Sequence, residues 1–316
     1  MVWMVRFIVA FIAILSFISS AFGGKVYLSL LTGNPGGTYY PIGNAIAGLI
    51  NKYVPEVYVI VETGNASVSN CTLVGSGEAE MAFAQNDVVN WAYTGAFIFS
   101  KPFANIRVLA SLYPEAFHFV TLKSSGIKDI YGLKGKRVAV GEVGSGTEIN
   151  ARLILEEAGL SYKDIDVNYL EYSVAIQRMK EGKIDAFFYT VGYPAVVIEE
   201  LASTKEISIL SLSEDLIKKI GKKYPWLSRH VIPAKTYKWQ EENILTISVM
   251  ALWIGASSIP EDIAYKMVKG CFTHINETYF FHPKMRLITL DTALEGVTTP
   301  LHDGAKSFYK EKGLLK

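Results

Sequence analysis

The sequence predicts an α/β protein of two facing lobes joined by a hinge, and three observations carry that prediction. Strand-like and helix-like runs alternate along the chain, which argues for parallel sheets flanked by helices. A strand, Gly-rich turn and helix occur in the same order twice, near residues 25–53 and 136–159. The last stretch has no counterpart in the second copy, so it is assigned back to the first lobe.

The first copy opens with "KVYLSLLT", Lys25–Thr32, an apolar and β-branched run that reads as a buried strand. The turn "NPGGTYYPIG", Asn34–Gly43, follows. Ile42, Ile46, Leu49 and Ile50 then recur at helical spacing, with Pro41 in the first turn, where a missing N–H costs nothing. The second copy runs "KRVAVG", "EVGSGT" and "EINARLILEEAG", with Gly159 as its stop. Downstream, "SGEAEMAFAQND" and "EGKIDAFFYTVG" share one grammar of helix end, glycine and strand. Gly37 to Gly77 spans 40 residues and Gly146 to Gly182 spans 36. "RVLASLY" and "FHFVTLK" read as two further strands, with Pro114 and Glu115 marking a crossing between lobes. "ILTISVMALWIG" and the helix beginning near Pro260 return the chain to the first lobe. The division is therefore 24–116 plus 243–316 for lobe I and 117–242 for lobe II.

Residues 1–23 have the layout of a secretory signal: Arg6, an apolar core from Phe7 to Ile18, and small residues at Ser19 and Ala21. A retained membrane anchor is the alternative. The location expected is periplasmic or otherwise extracytoplasmic. Lys and Arg total 31 against 30 Asp and Glu, so no basic footprint for nucleic acid exists. Five histidines form no i, i+4 pair, and neither cysteine has metal-ligand spacing; no metal or cofactor is expected. Cys71 and Cys271 are either a disulfide or two buried thiols.

Helix N-termini expose N–H donors and a partial positive charge, so two such turns facing each other suit a small anion. Sharper motifs fail. Thr147 stands where a P-loop requires lysine, Ile149 where a dinucleotide fingerprint requires glycine, and Val143 and Thr147 where a nucleophile elbow requires glycines. Around the turns, Thr38 and Tyr39, then Ser67 and Gln85, then Gly144, Ser145, Gly146 and Thr147, then Tyr189 and Thr190 form the candidate site. Ser67 could cap a helix, bind ligand, or do both. Asp87 or Glu148 could accept from a ligand amine, or serve only its own element.

"GGTYYPIGNAIAGLINK", "LASLYPEAFHFVT", "GLKGKRVAVGEVGSGTEINARLILEEAGL", "GKIDAFFYTVGYPAVVIEELA" and the ending "TPLHDGAKSFYKEKG" together resemble the TAXI family, the extracytoplasmic solute receptors of TRAP transporters. The resemblance implies a type II periplasmic-binding-protein fold, a sodium-driven membrane permease as partner, and glutamate, glutamine or 2-oxoglutarate as solute. It implies solute contacts at Thr38, Tyr39 and Gln85 from one lobe, and at 144–147, Tyr189 and Thr190 from the other. "TGNAS" departs from the family's tighter "TGGS", which weakens the carry-over to Ser67. Two other classes compete: an exported enzyme on the same scaffold and a sensory receptor subunit. No His or Cys falls in the proposed ligand loops, which counts against a nucleophile–base pair.

Overall fold

The computed structural model describes residues 25–316, so the leader reading lies outside the described residues. The first unit is β1 (Val26–Leu31), α1 (Tyr39–Tyr53), β2 (Val57–Glu62), α2 (Ser67–Ser76), β3 (Met81–Gln85) and α3 (Asn86–Thr94). A long strand, β4 (Ile106–Leu122), leads to the second unit. That unit is β5 (Arg137–Gly141), α4 (Gly146–Glu157), β6 (Asp166–Tyr169), α5 (Tyr172–Lys180), β7 (Ala186–Val191) and α6 (Val196–Ala202). Then come β8 (Ile207–Leu210), α7 (Glu214–Lys223), β9 (Ser228–Ile232), the long β10 (Ile244–Ala256), α8 (Glu261–His274) and α9 (Asp303–Glu311).

The strand order shows the duplication directly. One half of the sheet runs β2-β1-β3-β10 and the other β6-β5-β7-β4. In each, three parallel strands are closed by a long antiparallel one. The long strands also pair with each other, Ile106–Ala116 against Ser248–Ala256. Beyond Ala116, β4 leaves β10 for β7 and β8, while the start of β10 pairs with β9. Two strands thus belong to both halves. The runs "RVLASLY" and "FHFVTLK" are one strand of 17 residues, correcting their reading as two. Pro114 is accommodated beside a register shift between β4 and β10, where a missing N–H is least costly.

Helical periodicity does what it predicts. Ile42, Ile46, Leu49 and Ile50 of α1 are all buried, against Phe83, Trp253 and Leu30 of the first half. In the second half Ile149, Leu153 and Ile154 of α4 bury against Phe117, Phe119 and Phe188, and Met179 and Ile198 bury with Phe187 on the opposite face. Full burial of one such side chain contributes about 1.5–3 kcal/mol. Cys71 and Cys271 are free buried thiols in different core clusters, which settles the two alternatives for them.

Candidate functional site

Both Gly-rich turns sit beyond the carboxyl ends of β1 and β5, where open α/β sheets hold ligands. Between them lies a cavity of about 60 Å³. Thr38, Tyr39, Ser67 and Gln85 line it from one half, and Ser145, Gly146, Thr147, Tyr189 and Thr190 from the other. Asn34, Gly37, Glu115, Glu142, Glu171, Tyr172 and Phe188 are among the other residues of the wall. Gly144 does not line the cavity. Its carbonyl oxygen accepts the N–H groups of Val68 at 3.1 Å and Ser69 at 3.2 Å, the orphan donors at the start of α2.

That bond is one of several between the halves. Tyr172 Oη donates to the Asn34 carbonyl at 2.9 Å, and Asn150 Nδ2 donates to Asp87 Oδ2 at 2.8 Å. Thr38 Oγ1 donates to the Gly192 carbonyl at 3.3 Å. The contact is tight enough that a Cβ at either glycine would displace a facing side chain. A Cβ on Gly146 would lie 2.2 Å from Gln85 Oε1, and one on Gly37 would lie 2.9 Å from Tyr172 Oη. The conformation is closed.

Most of the hydroxyls have a definable partner, while Tyr189 Oη is buried in the wall without one among the described residues. Ser145 caps α4, its Oγ accepting the Glu148 N–H at 3.2 Å. Thr147 Oγ1 accepts the Thr190 N–H at 3.1 Å, and Thr190 Oγ1 donates to Asn150 Oδ1 at 3.0 Å. Ser67 is the first residue of α2, and caps nothing; its Oγ accepts the Gln85 N–H at 3.0 Å. The N-termini of α1 and α2 carry no side-chain cap, and neither helix has an acidic residue in its first turn. Tyr39 is buried, edge-on to Phe83, with its hydroxyl donating to Glu115 Oε2 at 2.8 Å, while Tyr40 is half-exposed and outside the cavity wall.

A family model described as NMT1-like matches residues 30–313. The chain belongs to the NMT1-like family. Three solved structures share the fold of this NMT1-like protein at low identity. MatC of Rhodopseudomonas palustris with bound malate is 12% identical with a TM-score of 0.58, over 92% of this chain and 97% of that one. PhnD1 of Prochlorococcus marinus in complex with methylphosphonate is 13% identical with a TM-score of 0.54, over 84% and 89%. The alkanesulfonate-binding protein SsuA of Xanthomonas axonopodis pv. citri, bound to MOPS, is 12% identical with a TM-score of 0.53, over 91% and 84%. The chain therefore has the two-lobed α/β fold of periplasmic binding proteins, and among its described residues no helix is long and apolar enough to cross a membrane.

The charge of this NMT1-like cavity differs from the sequence expectation. Asp87 and Glu148 were the acids considered for a ligand amine, and neither lines the cavity. Asp87 is buried, bonded to Asn150 and to the Val88 N–H, and burial pushes its carboxyl up to about 6. Glu148 pairs with Arg152 at 2.6 Å and accepts from Tyr162 Oη at 2.8 Å. The most buried acid in the wall is Glu115, only 3% exposed and pushed up to about 8, chiefly by burial. Read in sequence as a crossing point, it lies where β4 passes between the halves. Its neighbour "LYPEAF" breaks a long apolar run with a charge, the one signal that could have marked it. Glu142 and Glu171 also line the cavity, and burial then the Glu171 charge hold Glu142 above the ordinary range. Among the described residues of the wall there is no Lys, Arg or His.

Proposed function

We propose that this protein is an extracytoplasmic solute receptor, without catalytic activity, that captures one small carboxylate-bearing solute and presents it to a membrane permease. Lobe I comprises 24–116 and 243–316, lobe II comprises 117–242, and β4 and β10 are the hinge. One observation carries the reading: a closed cavity whose wall is shared between two halves that only two long strands join. The uncapped start of α1 and hydroxyls such as that of Thr147 supply donors to a carboxylate, and closure traps it. A cavity of about 60 Å³ has room for about four to six waters, which suits a solute of amino-acid size and excludes a peptide. The three structures similar in fold hold small acidic solutes, in keeping with this class. The resemblance to the TAXI family supports a TRAP permease as partner and glutamate, glutamine or 2-oxoglutarate as first solutes to try. Nine of the ten candidate residues would contact or frame the solute, and Gly144 would instead hold the lobes together.

A melting-temperature screen of the purified protein against amino acids, 2-oxo acids and dicarboxylates tests the proposal. A solute at about 100 times its Kd adds roughly 2.7 kcal/mol to the folded state, a shift of several degrees. No shift with any small carboxylate, in protein stripped of host solute by unfolding and refolding, would defeat it.

A further inference from the structure

The receptor reading leaves open what the other end of the solute looks like, and the charge of the cavity wall answers this. Three carboxylates, Glu115, Glu142 and Glu171, face a space that no cationic side chain of the described residues lines. Glu171 is occupied at the start of α5, where it accepts the Ser173 N–H. Glu115 is different. Tyr39 Oη takes one carboxylate oxygen, and among the described residues Oε1 has no hydrogen-bond partner. Gln85 Oε1, 3% exposed and also in the wall, is likewise without a partner. The nearest cation coupled to Glu115, Lys284, is itself buried and lies outside the cavity wall, so an ionised Glu115 is costly, as is a buried acceptor without a donor. Both shortfalls are met by a single donor-only cation.

We propose that the solute carries an ammonium group that pairs with Glu115 Oε1 and donates to Gln85 Oε1, and that it carries one carboxylate rather than two. The class is the amino acid with no net charge. This inference rests on the receptor reading. Its carboxylate takes the N–H groups at the uncapped start of α1 and the free hydroxyl hydrogen of Thr147, and a second carboxylate would face Glu115, Glu142 and Glu171 with no cationic side chain in the wall to pair it. Glu115 is then the residue that reads charge, selecting an amine over the ketone of the matching 2-oxo acid.

Calorimetric titration of the purified protein with matched pairs decides it: glutamine against glutamate, glutamate against 2-oxoglutarate, leucine against its 2-oxo acid. The expected result is tighter binding of glutamine over glutamate and of the amine over the 2-oxo acid in the other two pairs, each by about tenfold or more, some 1.4 kcal/mol, with an uncharged amino acid ahead of every dicarboxylate. Glu115→Gln keeps the shape and abolishes the preference for the amine. Tighter binding of a 2-oxo acid or of a dicarboxylate overturns the inference while leaving the receptor reading intact. An unchanged preference in Glu115→Gln also overturns it. Binding of no member in any pair would remove the receptor reading and this inference together. The wild-type ranking stands as a test even where the variant fails to fold.

Discussion

Single residues set the pH behaviour, because burial has moved several groups into the neutral range. The Glu115 carboxyl is pushed up to about 8 in the folded chain, against an ordinary value near 4.3. The native state therefore keeps this proton over a range where the unfolded chain has released it, and stability falls as pH rises through that range. Asp87, pushed up to about 6, adds a similar fall at lower pH. His118 and His282 are both held down to about 4 by burial and act with opposite sign, adding stability as pH rises to the ordinary imidazole value. Between about pH 6.5 and 8 the Glu115 contribution stands clear of these. Glu115→Gln should therefore melt progressively higher than wild type, in the absence of solute, as pH is raised across that window. A difference independent of pH would show that Glu115 ionises freely in the unliganded protein. Asn150 is a second decisive residue. Asn150→Ala would leave Asp87 Oδ2 without its partner across the interface and Thr190 Oγ1 without its partner in the same half. An unmet buried group costs about 1–3 kcal/mol, so solute affinity should drop by roughly five- to a hundredfold, as read by calorimetry.

At the scale of elements, the two glycine turns differ in what they tolerate. The start of α4 must approach Gln85 closely, and Gly146→Ala would push a methyl into the Gln85 carboxamide. The lobes would then be held slightly apart, so solute affinity should fall by about tenfold or more while the unliganded melting temperature stays within a few degrees. Thr147→Val leaves the Thr190 N–H unpaired and should weaken binding in the same assay without unfolding the lobe. Gly304, in the first turn of α9, is constrained by backbone: an added Cβ would lie 2.1 Å from the Glu261 carbonyl and 2.5 Å from the Tyr265 nitrogen. Backbone cannot step aside as a carboxamide can. Gly304→Ala should destabilise lobe I by about 1–3 kcal/mol, measured by denaturant unfolding, with little effect on which solute is preferred.

At the scale of the whole molecule, the proposed receptor has its hinge in the two shared strands. Only β4 and β10 run through both halves, and the hydrogen bonds across the cleft reach from Asn34, Thr38, Val68, Ser69 and Asp87 to Tyr172, Gly192, Gly144 and Asn150. Each of these bonds nets about 0.5–1.5 kcal/mol, and Trp91 packs edge-on against Tyr224 and Trp226 from the other half. Solute contacts to both lobes tip the balance toward closure. Small-angle X-ray scattering should show a smaller radius of gyration with solute than without, and an unchanged radius would place closure outside the binding step.

Much of this was legible before any coordinates. Periodicity marks the face of α1, since Ile42, Ile46, Leu49 and Ile50 must share one side of a helix wherever that helix packs. Glycine and threonine at matched places mark the two turns, because local backbone demands are written locally. Residues on those turns come together because both lie at strand ends of one duplicated unit. The role of Glu115 was not legible: a charge inside a long strand says nothing about which cavity it faces until the strand is known to cross from one lobe to the other. The same holds for Asp87 and Glu148, whose partners Asn150 and Tyr162 are set by packing across the cleft or along α4. Sequence by itself determined the repeated α/β unit, its helix faces and the two turns that border the cavity. Only the tertiary structure decided the charge of that site, because burial and the choice of partner depend on what the fold brings alongside.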